Sequence, residues 1–326
     1  MSFPQTRMRR LRRSPQVREL VAETRISVND LVAPLFVNEE LAAPRPVASL
    51  PGFVQHTVKS LVTEAHRLAG LGVPALVLFG APATKDDQGS QAWAPGGIAQ
   101  VALSALRDEV GSQMVLISDV DLAEYTEHSH SGLVDERGEV ANDPTRDLYG
   151  RIAVARAKAG ADLVAPAGMM DGQVAAMRDA LDNEGYGEVG ILAYAAKFAS
   201  ALYRPFREAV SETHLNVDRR SYQIDPRNLR EALRQVEVDV AEGADIVMVK
   251  PALAYLDVIA AVRATVGVPV AAYHVSGEYA MVKAAAERGW LDGTAVALEH
   301  VGAIKRAGAD IVLTYFAGEL AELLNG

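Results

Sequence analysis

The chain has 326 residues, 49% of them hydrophobic, with a net charge of −10 and no cysteine. The acidic balance argues against a nucleic-acid partner, which would need a basic face, and no apolar run approaches the ~18 residues of a membrane span. Without cysteine there is no disulfide, thiolate nucleophile or thiolate zinc ligand.

In chain order, MSFPQTRMRRLRR opens basic but lacks the apolar core and small-residue cleavage site of a secretory signal, so the expected location is cytoplasmic. Residues 1–30 read as an N-terminal arm whose arginines, Arg7 to Arg13, reach a neighbouring subunit; residues 31–326 read as one catalytic domain. Eight short apolar runs follow: Leu31–Val37, Ala75–Phe79, Met114–Asp121, Ala161–Ala167, Gly190–Ala195, Asp245–Pro251, Val268–Val275 and Ala309–Phe316. Runs that are apolar on both faces suit parallel strands covered by helices. Between them lie helix-period segments, such as Leu61, Ala65, Leu68 and Leu71 before Gly72. Eight such alternations predict a (β/α)8 TIM barrel. A faint repeat agrees: Gly160-Ala161-Asp162, Gly243-Ala244-Asp245 and Gly308-Ala309-Asp310 enter the fourth, sixth and eighth runs.

Two connections are long, 80–97 after the second run and about 203–226 after the fifth. Both leave strand C-termini, where a barrel places its active site, and the second carries arginines that would attract an anionic substrate. Lys197 and Lys250 each end a strand. By alternation Lys250 shares a face with Met248 and Ile246, and Lys197 with Ala195 and Ala193. Burial and mutual repulsion would lower the pKa of such amines and free a neutral nucleophile for a ketone. In DVDLAEYTEHSHSG, Asp119 and Asp121 have one parity and should face the same mouth, for proton transfer or recognition of an ammonium group. His128 and His130 in that stretch raise the question of a metal.

Several segments resemble the porphobilinogen synthase (5-aminolaevulinate dehydratase) family: AYAAKFASALYRPFREA, VMVKPALAYLD, AYHVSGEYAMVKAAAERGWLD, KDDQGSQAWAPGG, APAGMMDGQ and IKRAGADIVLTYFA. The resemblance implies condensation of two 5-aminolaevulinate molecules to porphobilinogen with loss of two waters, in tetrapyrrole biosynthesis. It makes Lys197 and Lys250 the Schiff-base lysines. It assigns Arg207, Arg219 and Gln223 to one substrate's carboxylate, and Ser276 and Tyr315, beside Tyr273, to the other's. The arginine-rich loop becomes a lid, and the assembly a homo-oligomer, a hexamer or octamer built from dimers.

The chain also departs from that family. Zinc-dependent members carry three cysteines where this chain has Asp121, Ala123 and Ser131, so a three-thiolate site is absent. A magnesium-binding glutamate is matched by Gln235, with Glu237 two residues on, and Ala167-Gly168 stand where many relatives have Ser-Asp. The expectation is a metal-independent enzyme with no cofactor, in which Asp119 and Asp121 handle protons and His128 and His130 are structural. An allosteric divalent or monovalent cation stays open. The alternatives are a class I aldolase-like Schiff-base lyase and a catalytically silent barrel kept for assembly.

Overall fold

The computed structural model describes residues 2–326, so Met1 of the expected arm lies outside the described residues. Among the described residues ten strands form: β1 (Leu31–Asn38), β2 (Arg45–Pro46), β3 (Val54–His56), β4 (Ala75–Ala81), β5 (Val115–Val120), β6 (Leu163–Pro166), β7 (Gly190–Lys197), β8 (Ile246–Lys250), β9 (Val270–His274) and β10 (Ile311–Thr314). β1 and β4 to β10 pair in parallel, and β10 returns to β1, so eight strands close a (β/α)8 barrel. The extra pair, β2 with β3, extends the upper end of β1 and was not foreseen in the sequence.

Local chemistry explains the elements. Helix Val58–Gly70 starts where Thr57 and Ser60 cap one another, buries Leu61, Ala65 and Leu68, and ends before Gly72 at φ +78. Burying each such leucine contributes about 1.5–3 kcal/mol. The Gly-Ala-Asp repeat is a structural device. Gly160, Gly243 and Gly308 hold φ of +103, +106 and +118, closed to most side chains. Each aspartate then accepts from the first N–H groups of the preceding strand: Asp162 from Leu116 (2.7 Å), Asp245 from Ile191 (2.7 Å) and Asp310 from Val270 (2.9 Å). These bonds join β5 to β6, β7 to β8 and β9 to β10 below the barrel.

One feature of β7 overturns the alternation expected for Lys197. Ala193 pairs with Val247 and Ala196 with Val249, so Tyr194 and Ala195 together oppose Met248. This bulge adds one residue and inverts the parity above it. Ala193 is therefore off the face of Lys197, and the Tyr194 ring centre comes within 5.8 Å of Lys197 Nζ.

Among the described residues no helix is long and apolar enough to cross a membrane. In the arm, turns at Met8–Arg12 and Pro15–Leu20 bury no side chain.

Candidate active site

Lys197 and Lys250 are direct register partners at the ends of β7 and β8, each only 4% exposed. Lys197 Nζ donates to the Ala167 carbonyl and lies 3.5 Å from Asp121 Oδ2. Lys250 Nζ sits in an aromatic box, 4.9 Å from the Tyr194 ring centre, 5.2 Å from Tyr203, 5.0 Å from Phe206 and 4.5 Å from Tyr273. Burial first, and Lys197 second, push Lys250 down to about 7, against the pull of Asp119, Asp121 and Glu124.

The two aspartates reach the same mouth but behave oppositely. Asp119 is pushed up to about 7 by burial and by Asp121, despite Lys197 and Lys250, and its Oδ1 has no hydrogen-bond partner. Asp121 accepts from the N–H groups of Leu122 (2.7 Å) and Ala123 (2.9 Å) and from the Ser131 hydroxyl (3.2 Å). Burial opposes its charge, yet Lys197, then Arg219 and these donors, outweigh that and hold it below the usual carboxylate range. One acid is thus poised to exchange a proton near neutrality and the other is fixed as an anion.

The metal positions do not suit a metal. Ala123 offers no ligand atom, Ser131 donates its proton to Asp121, and Asp121 is already bonded to two N–H groups and faces Lys197. His128 and His130 turn elsewhere: His128 Nε2 is 3.3 Å from the Asp87 carbonyl, and His130 Nδ1 is 3.2 Å from the Tyr222 hydroxyl. Among the described residues no three His, Asp or Glu side chains gather as a metal-holding group. Gln235 lies on the outer helix Leu229–Ala241 and donates to Asp239 (2.8 Å). Gly168 has an explanation in packing: a Cβ there would stand 1.8 Å from the Tyr149 hydroxyl, which donates to the Ser131 carbonyl (2.6 Å). Tyr149 therefore fills the space of a side chain at 168 and props the acidic loop.

The segment after β7 covers the mouth. Helix Arg204–Ala209 brings Phe206 against Phe79, 4.9 Å between ring centres, while Ser276 Oγ accepts from the Phe206 N–H (3.1 Å). Tyr273 and Tyr315 approach hydroxyl to hydroxyl at 3.4 Å. Arg207, Arg219 and Gln223 all lie in this segment, and Arg207 Nε, Arg219 Nε and Gln223 Nε2 are buried without hydrogen-bond partners. All ten residues expected at the mouth are gathered there, on the ends of β5, β7, β8, β9 and β10 and on this covering segment.

Four residues were missed in the sequence. Besides Tyr194, Glu124 is buried beside Asp119 and Asp121, and burial followed by those two charges pushes it well above the carboxylate range. Arg156, 1% exposed, donates to Gln100 and to the Tyr125 hydroxyl (2.9 Å), tying the acidic loop to helix Asn142–Lys158. Glu212 sits between two arginines. Glu124, Arg156 and Glu212 matter as buried charges, and burial is not visible in the sequence of a loop or helix; Tyr194 turns inward only at the bulge of β7.

Fold and site define a (β/α)8-barrel enzyme whose mouth pairs two lysine amines with buried carboxylates under an arginine-bearing cover. The sequence model of the delta-aminolevulinic acid dehydratase family matches residues 5–323. The delta-aminolevulinic acid dehydratase of Mycobacterium tuberculosis is 54% identical over 326 residues, covering 99% of both chains. That of Synechococcus elongatus is 50% identical over 325 residues, again with 99% of each covered. A crystal structure of the Toxoplasma gondii enzyme (porphobilinogen synthase), in complex with its reaction product porphobilinogen, matches with a TM-score of 0.95 at 41% identity, covering 98% of this chain and 91% of that one. The chain belongs to the delta-aminolevulinic acid dehydratase family.

Proposed function

We propose that this chain condenses two 5-aminolaevulinate molecules to porphobilinogen on its two lysines, and that its own carboxylates and ammonium groups handle the protons without a catalytic metal. The observation that carries the reading is the pairing of Lys250, near 7 and free of any acid within ion-pair distance among the described residues, with Lys197 on the adjoining strand. Each amine attacks a substrate ketone and one water leaves per imine, which accounts for both waters lost. A carbon beside one imine loses its proton, forms the carbon–carbon bond to the other imine carbon, and that lysine leaves. The free amine of one substrate then forms the carbon–nitrogen bond and displaces the second lysine. Asp119, titrating near 7, is assigned the proton transfers, and Asp121 the orientation of Lys197.

Arg207, Arg219 and Gln223 take the carboxylate of the substrate on the Lys197 side; Ser276 and Tyr315, with Tyr273 packed beside them, take that of the substrate on Lys250. The covering segment acts as a lid that excludes water. Metal independence is supported by Asp121 being occupied with Leu122, Ala123, Ser131 and Lys197. It is tested by dialysis against a strong chelator: turnover is expected to persist, and its loss with recovery on adding a divalent ion would refute the reading. The arm is assigned to a second copy of the chain, as its exposed Phe3 (73%) and Leu20 (79%) support.

A further inference from the structure

The lid holds a buried carboxylate for which the condensation has no use. Glu212, whose side chain is 0% exposed, places Oε2 at 2.7 Å from Arg219 Nη2 and 3.9 Å from Arg207 Nε. Its Oε1 has no hydrogen-bond partner. These are the two guanidiniums assigned above to a substrate carboxylate, and the inference rests on that assignment. A second carboxylate entering the same buried pair meets strong repulsion from Glu212, because a desolvated site screens like charges poorly.

We propose that Glu212 is a resident carboxylate which the substrate's own carboxylate must displace from Arg219, so that Glu212 sets the KM of that subsite. The fold supplies an alternative partner. Lys85, from the connection after β4, donates to the carbonyl of Ser211 (2.6 Å), the residue before Glu212. Ser211 is pinned: it adopts φ +55, and its hydroxyl accepts from Gln55 (2.8 Å) and Asn38 (3.4 Å). The backbone at 211 is thus held while the Glu212 side chain swings from Arg219 toward the Lys85 ammonium. The segment carrying the substrate-binding arginines therefore also carries a competitor for them.

The test is steady-state turnover of 5-aminolaevulinate by Glu212→Gln and Lys85→Met. Alongside it goes binding of two probes of equal size, 4-oxopentanoate and the neutral 4-oxopentanamide. In Glu212→Gln, KM and the Kd of the acid are expected to fall by about tenfold while the Kd of the amide stays put. In Lys85→Met, which removes the alternative partner, KM is expected to rise. A higher KM and weaker acid binding in Glu212→Gln would overturn the proposal and make Glu212 a positioning residue for the arginines. Should Glu212→Gln fail to fold, the direction of the KM change in Lys85→Met decides, an unchanged or lower KM overturning the proposal. Arg219→Gln examines the underlying assignment separately: unchanged acid affinity there would sink the carboxylate subsite itself, whatever Glu212→Gln does.

Discussion

At Lys250 two effects add. An ammonium enclosed by four aromatic rings loses its hydration, and Lys197 on the next strand repels it; together they lower its pKa to about 7. The amine is nucleophilic only above its pKa, and Asp119, raised to about 7, accepts a proton only above its own. Both conditions are met as pH rises, so kcat/KM is expected to climb through about 7 and level off near about 8. A profile already flat at pH ~5 would contradict this, because neither group would then be limiting the reaction by titrating near neutrality. At this scale the lysines were legible because each stands at the end of an apolar run. Tyr194 was not, because a bulge leaves no mark in composition, and Glu124 was not, because its importance comes from burial beside Asp119 and Asp121.

Among the elements, the Gly-Ala-Asp turns show what repetition in a sequence can and cannot reveal. The recurrence before alternate strands was visible; that each aspartate grips the N–H groups of the preceding strand was not, since it depends on which strands are neighbours. Gly243 combines φ +106 with a Cβ position 3.3 Å from the Arg178 side chain, whereas Gly267 has open space and no positive φ. Gly243→Ala is accordingly expected to lower unfolding free energy by about 1–3 kcal/mol. Gly267→Ala is expected to change it by less than about 1 kcal/mol. Equal effects in chemical denaturation would show that the turn is not under the conformational constraint described. The eight runs matched eight strands because strands buried on both faces are built mainly of apolar residues, while the β2–β3 pair is too short to leave that signature, with β2 exposed and β3 burying the polar Gln55 and His56.

For the whole molecule, closure of β10 onto β1 brings residues from five strands to one mouth, and no window of sequence shorter than the chain could display that gathering. Among the described residues the arm lies outside the closed barrel with no buried side chain, which fits its assignment to a second copy of the chain. Light scattering is expected to give a mass several times that of one chain, and deletion of residues 1–24 a smaller one; an unchanged mass would remove the arm from the assembly. The proposed condensation depends on imines between the two strand-end lysines and the substrate. Their most direct measurement is borohydride reduction of chelator-treated protein in the presence of 5-aminolaevulinate, followed by peptide mapping. The expected result is a reduced adduct on Lys250, with a second on Lys197 at high substrate concentration, and none in the Lys250→Met, Lys197→Met double variant. Full turnover without an adduct on either lysine would contradict the account.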